Sequence, residues 1–132
     1  MKVLAVDLGT RRTGFAISDP KGTMALALPT LEDVTPVDVA TLAEEQGAEE
    51  VVVGLPLNMD GTTGPSARRA LDFIAELKLH LTVPVVPWDE RLSTQEGQER
   101  LRQAGLDRKD RQQRADVAAA IVILESYLRR PQ

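Results

Sequence analysis

Residues 1–28 read MKVLAVDLGTRRTGFAISDPKGTMALAL. Lys2 to Val6 carries an unbroken apolar run, Val3-Leu4-Ala5-Val6, and predicts a buried strand that Asp7 closes. Gly9 marks a turn. Thr13 to Ser18 resumes as a strand in which Phe15 and Ile17 alternate with smaller residues. Asp19-Pro20-Lys21-Gly22 is a second turn, and Met24 to Leu28 is a third strand. Three short strands joined by tight turns predict an antiparallel meander.

Beyond Leu28 helix and strand signals alternate. Thr35-Pro36 predicts an N-cap with proline at the first helical position; Val39, Leu42 and Ala43 follow at helical spacing, and Gly47 ends the helix. Glu50 to Leu55 contains Val51-Val52-Val53, a buried strand. Leu57 to Pro65 is a Gly- and Thr-rich loop. Ser66 to Leu79 predicts a helix with Ala67, Ala70, Leu71, Ile74 and Leu77 on one face. Val83 to Trp88 predicts a strand whose Pro84 and Pro87 suit an edge position. Ser93-Thr94-Gln95-Glu96 is a capping box opening a helix to Gly105, and Ala115 to Leu128 is a nearly all-apolar helix. The order β-β-β-α-β-α-β-α-α predicts a single α/β domain over residues 1–132. Its five-stranded mixed sheet has three antiparallel N-terminal strands, then parallel ones, with helices on both faces.

Composition narrows the chemistry. Of 132 residues, 42% are hydrophobic and 27% charged, the balance of a folded soluble domain. There is no cysteine, which excludes thiol nucleophiles and thiolate-bound metals, and His80 is the single histidine, which disfavours a catalytic triad or a multi-histidine metal site. Four aromatic residues, Phe15, Phe73, Trp88 and Tyr127, leave little for a base-stacking surface. His80 reads as a helix-end residue and Trp88 as core. No apolar run reaches the ~18 residues of a membrane span, and the N-terminus lacks a signal-peptide layout, so the chain is expected in the cytoplasm.

The net charge of −4 is unevenly spread. Gly22 to Ala67 holds eight acids and no Lys or Arg, leaving twelve of the twenty acids against all sixteen bases elsewhere. Six of those bases, Arg100, Arg102, Arg108, Lys109, Arg111 and Arg114, fall within one short stretch. A local basic field of this kind can hold a nucleic-acid backbone although the whole chain is acidic.

Three acids stand where elements leave the sheet. Asp7 ends the first strand. Asp89-Glu90 ends the last, and period-two alternation lets one of the pair face a site while the other pairs with Arg91. Asp116 opens the last apolar helix. Each has an ordinary structural role available: a turn, a surface ion pair, a helix-dipole contact. Together, three carboxylates converging at one end of a sheet repel one another unless a cation lies between them. Hard oxygen ligands without His or Cys select Mg²⁺ or Mn²⁺, and two such ions can drive phosphodiester hydrolysis. Arg11, Arg12, Arg91 and the basic stretch would then grip the nucleic-acid backbone. Leu57 to Ser66 has two readings: Asn58, Gly61, Gly64 and the next helix N-terminus meet a phosphate or base, or they only turn the chain.

Four motifs in order, Asp7-Leu8-Gly9-Thr10-Arg11-Arg12-Thr13-Gly14-Phe15-Ala16, Val53-Gly54-Leu55-Pro56-Leu57-Asn58-Met59-Asp60-Gly61-Thr62, Asp89-Glu90-Arg91-Leu92-Ser93-Thr94 and Ala115-Asp116-Val117-Ala118-Ala119-Ala120-Ile121-Val122-Ile123-Leu124, span nearly the whole chain. The sequence resembles the YqgF/RuvX family, the Holliday junction resolvase or pre-16S rRNA nuclease group of the ribonuclease H-like superfamily. The resemblance implies a ribonuclease H-like fold with Asp7, Glu90 and Asp116 as catalytic, metal-binding acids. It implies two Mg²⁺ or Mn²⁺ ions with substrate bound, and an rRNA precursor or branched DNA as substrate. Thr10, Arg11, Arg12, Asn58, Arg91, Arg108, Lys109, Arg111 and Arg114 are the expected nucleic-acid contacts. The chain departs from resolvase-type relatives in two places: Val51-Val52-Val53-Gly54 ends without an acid, and Ala119 follows Asp116 by one turn where a further acid is usual. Two other readings stay open. One is a non-catalytic RNA-binding factor of ribosome assembly. The other is an actin-like phosphotransferase, disfavoured because a second Asp-x-Gly motif and a second domain are missing. Monomer and homodimer are both compatible with the sequence.

Overall fold

Val3-Leu4-Ala5-Val6 lies at the middle of the sheet, flanked on both sides, which is why this strand is apolar on both faces. The computed structural model describes residues 1–92 and 119–130. Strands β1 (Val3–Asp7), β2 (Arg12–Ser18) and β3 (Ala25–Glu32) form the antiparallel meander. Helix α1 (Pro36–Glu45), strand β4 (Glu50–Leu55), helix α2 (Pro65–Leu77) and strand β5 (Val85–Asp89) follow, then a 3₁₀ turn, Glu90–Leu92. A further helix, α3, is described over 119–128. The sheet order is β3-β2-β1-β4-β5, with β4 parallel to both β1 and β5.

Alternation along the strands divides the core in two. Leu4, Val6, Phe15, Ile17, Val51 and Val53 pack beneath Val39, Ala40 and Ala43 of α1 and Ile74 and Leu77 of α2. Val3, Ala5, Ala16 and Val52 face the other way, against Ala120, Ile123, Leu124 and Tyr127 of α3. Helices therefore cover both faces, as the element order predicts. Each fully buried Val, Leu, Ile or Phe contributes about 1.5–3 kcal/mol relative to its exposed state.

Local chemistry fixes the element ends. The Thr35 hydroxyl accepts from the Asp38 N–H at 3.2 Å, and Asp38 Oδ2 accepts from the Thr35 N–H at 2.9 Å, closing a capping box ahead of Pro36. Strand β5 lies at an edge, where Pro87 removes no ladder bond on its open side. Strand β3 runs to Glu32, four residues beyond the expected end at Leu28. The continuation passes Pro29 because the register shifts there: Phe15 pairs with Leu28 and Thr13 with Leu31, so Gly14 alone lies opposite Pro29 and Thr30. A bulge on an edge strand is where a proline is tolerated. Helix α2 stops at Leu77, two residues short of the expected Leu79, which is 81% exposed. The helix expected from Ser93 to Gly105 and the start of the one expected from Ala115 lie outside the described residues. Among the described residues no helix is long and apolar enough to cross a membrane.

Candidate active site

The face covered by α3 continues past the ends of three strands. On β1 the sequence Val3, Ala5, Asp7 shares that face; on β4, Val52 and Gly54; on β5, Val86 and Trp88, with Glu90 next in the same parity. Asp7 and Glu90 therefore extend from strands that flank β4. Adjacent strands stand about 4.8 Å apart, so the backbones of β1 and β5 are separated by roughly twice that. The carboxyls bridge this gap across Gly54. A Cβ at Gly54 would lie 2.9 Å from both Cγ and Cδ of Glu90 and 2.8 Å from Ile123 Cδ1. Glycine leaves the bed on which the Glu90 side chain lies.

Glu90 and Asp7 are hydrogen-bonded through their side chains. Such a bond between two carboxyl groups exists only while one of them holds a proton. Burial raises the Glu90 carboxyl above its ordinary 4.5; the hydrogen bond from Asp7 opposes that rise, and the charge of Asp89 adds to it. Two hard-oxygen ligands aimed at one partly buried point fit a divalent cation such as Mg²⁺ or Mn²⁺, which would replace the shared proton. Asp116, the third expected ligand, lies outside the described residues. Among the described residues no group of three candidate ligands forms.

Asp89, of opposite parity, turns to Arg91. Arg91 Nε lies 3.1 and 3.0 Å from the two Asp89 oxygens, and Arg91 Nη2 lies 2.6 Å from Oδ2. Asp89 Oδ1 also accepts from the Arg91 backbone N–H at 3.0 Å. The Arg91 hydrogen bond holds the Asp89 carboxyl below its ordinary value. On the other side of the guanidinium, Nη1 donates to the Met59 carbonyl at 3.3 Å.

The β4–α2 loop is closed on itself. The Asn58 amide donates to Thr62 Oγ1 at 2.9 Å, and its backbone N–H bonds the Thr62 carbonyl. Asp60 Oδ1 accepts from the Thr62 N–H and hydroxyl, which lowers the Asp60 carboxyl. Asn58 is exposed, with its side-chain carbonyl turned toward Gly64. Thr10 and Arg11 in the β1–β2 connection and Arg12 at the start of β2 are exposed, beside the end of β1. That turn is tight: a Cβ at Gly9 would lie 2.0 Å from the Arg12 carbonyl oxygen. Arg108, Lys109, Arg111 and Arg114, with Arg100 and Arg102, lie outside the described residues. Trp88 packs edge-on against Tyr127, with centroids 5.2 Å apart, and donates to Ser126 Oγ at 3.2 Å, a core role. His80 is exposed in the turn after α2.

Strand β4 closes on Gly54-Leu55 without an acid, and strand parity places Gly54 with Asp7 and Glu90 on the α3-covered face.

A meander continued by parallel strands in the order β3-β2-β1-β4-β5, with helices on both faces, is a ribonuclease H-like fold with acids at its strand ends. Solved structures share the fold. The fowlpox virus Holliday junction resolvase superposes with a TM-score of 0.61 at 14% identity, covering 97% of this chain and 98% of that one. RuvC of T. thermophilus in complex with Holliday junction substrate gives 0.58 at 15% identity, covering 97% and 93%. The chain belongs to the RuvX family, described as Holliday junction resolvase, whose model matches residues 1–130. Among its relatives is a protein of Anaeromyxobacter dehalogenans, 46% identical with 98% of each chain covered. Another, from Halalkalibacterium halodurans, is 39% identical over 100% of this chain and 99% of its own. Both are named "Putative pre-16S rRNA nuclease".

Proposed function

We propose that this chain is a divalent-metal-dependent endonuclease that hydrolyses phosphodiesters of structured nucleic acid, with 5′-end maturation of pre-16S rRNA in the cytoplasm as its task. The observation that carries the reading is the meeting of Asp7 and Glu90 over Gly54 at the carboxyl ends of β1, β4 and β5. The relatives' names support rRNA as substrate, and the shared fold of the resolvases supports branched DNA as the second candidate.

Asp7, Glu90 and Asp116 would hold Mg²⁺ or Mn²⁺. When bound, the metal would supply water activation and stabilisation of the leaving oxygen. Asp7 is the last residue of β1, so its position is fixed by the sheet, and Glu90 follows directly on the end of β5. Partial burial of Glu90 strengthens its attraction for a cation, because screening is weaker away from bulk water. Exposed Thr10, Arg11 and Arg12 beside the end of β1 are placed to contact phosphates. Asn58 and the basic residues Arg108, Lys109, Arg111 and Arg114 are proposed to extend that contact along the backbone.

The test is a cleavage assay with Mg²⁺ or Mn²⁺ on an rRNA precursor carrying its unprocessed 5′ end and on a four-way DNA junction. Asp7→Asn and Glu90→Gln run beside the parent. Cutting by the parent that both variants lose is the expected result, and the preferred substrate separates rRNA maturation from junction resolution. Binding of the precursor with no cutting of either substrate would replace the nuclease by an RNA-binding assembly factor.

A further inference from the structure

We infer that Arg91 is a positioning residue for Glu90, locking the turn that carries it and tying that turn to the Asn58–Thr62 loop, rather than a contact for nucleic-acid phosphate. The inference rests on the metal-nuclease reading for its consequence in catalysis, and on geometry alone for the linkage. Glu90 is the first residue after β5, in a 3₁₀ turn of three residues. Such a turn is held by side chains. Asp89 and Arg91, the neighbours of Glu90 on either side, supply the brace. The Asp89 carboxylate accepts from the Arg91 backbone N–H at 3.0 Å, which sets the turn. It also takes Nε and Nη2 of the same residue, the shortest contact being 2.6 Å, in a two-toothed grip that a lysine cannot reproduce.

The third face of the guanidinium reaches 32 residues back to the Met59 carbonyl at 3.3 Å. Gly61, with φ at +88°, brings the loop backbone against the same group: a Cβ there would lie 3.4 Å from Arg91 Nη1. Asp60 adds a Coulombic attraction. The fork is thus held on its Nε/Nη2 edge by Asp89 and at Nη1 by the loop, with the side chain 34% exposed. Fixing the residues on both sides of Glu90 aims its side chain over Gly54, and the loop's internal bonds from Asn58 to Thr62 anchor the brace at its far end.

Arg91→Lys is the decisive variant, with Arg91→Ala and Asp89→Asn beside it and Arg68→Ala, on the exposed face of α2, as control. Two readouts are taken on the full chain. The first is the amide ¹⁵N spectrum of the metal-free protein. Arg91→Lys is expected to shift the Gly54, Glu90 and Asn58–Thr62 amides together while Val3 and Val52 stay in place; Arg68→Ala shifts none of these. The second is calorimetric titration with Mn²⁺ alone, where all three brace variants are expected to bind on the order of tenfold more weakly, as outer supports of metal ligands do. In cleavage the loss should fall on kcat with KM for nucleic acid unchanged. A lysine that leaves those amides and the Mn²⁺ affinity as in the parent, while Arg91→Ala raises KM, overturns the inference in favour of a phosphate contact. A parent that binds no Mn²⁺ sinks the metal-nuclease reading instead; the linkage of Glu90 to the loop then stands or falls on the amide shifts.

Discussion

Gly54→Ala adds one methyl group to the molecule at the point where its two described acids meet. The added carbon would stand 2.8 Å from Ile123 Cδ1 and 2.9 Å from Cγ and Cδ of Glu90, where ordinary contact begins at 3.4 Å. Both neighbours are side chains, so they yield rather than the sheet, each by about 0.5 Å. Overpacking of this kind costs about 1–3 kcal/mol, and for a domain of this size each kcal/mol lowers Tm by about 4 °C. The displacement matters more than the energy. Catalytic constellations tolerate about 0.5 Å of misplacement, and a full ångström can cost about 100-fold in rate. Cleavage by Gly54→Ala should therefore fall about tenfold or more at a temperature where the variant is fully folded. Gly47→Ala supplies the matched control: Gly47 has φ at +68° with nothing within 4 Å of an added Cβ, so it should lose about 1–2 kcal/mol through backbone strain alone. Thermal unfolding and initial cleavage rates are measured on both. Gly54→Ala cutting as fast as Gly47→Ala at equal stability would refute the idea that glycine is the bed for Glu90.

Further outcomes follow from individual contacts. Because burial raises Glu90, folding favours its protonated form; that contribution is present below the ordinary 4.5 and lost as pH rises through the folded value. Metal-free Glu90→Gln should then melt above the parent at pH 8 and level with it near pH 4, and thermal scans across pH check this. Asp19 runs the other way: hydrogen bonds from the Met24 and Thr23 backbone and the Thr23 hydroxyl lower it to about 2, so its contribution is present above 3.8 and lost as pH falls. Asp19→Asn should flatten the acid limb of the stability curve between those values without changing cleavage. Thr35→Ala removes the capping box of α1 and should cost about 1 kcal/mol in urea unfolding, leaving cleavage rates intact. Phe15→Ala, at a fully buried position, should cost about 3–5 kcal/mol.

The sheet was legible because its strands differ in burial. Val51-Val52-Val53 and Val3-Leu4-Ala5-Val6 are apolar on both faces and occupy its interior, while Pro84 and Pro87 mark β5 as an edge. The far end of β3 was hidden, since Pro29 reads as a terminator until its bulge opposite Gly14 is seen. At the candidate site the structure places Asp7 beside Glu90, Asp116 lies outside the described residues, and Asp89 pairs with Arg91. Gly54 escaped notice because a missing side chain carries no chemical signature; only the parity of three adjacent strands reveals it. The loop around Asn58 could not be read in advance, because its amide and hydroxyl groups pair within the loop and no periodicity reports such local bonds.

Under the proposed function, Asp7 and Glu90 hold a divalent cation between them over Gly54. A crystal of the full chain soaked in Mn²⁺ tests it through anomalous scattering. The expected result is a peak above Gly54 within coordination distance of carboxylate oxygens of both residues, absent in Asp7→Asn. Asp7 and Glu90 still hydrogen-bonded to each other at saturating Mn²⁺, with no peak between them, would contradict it.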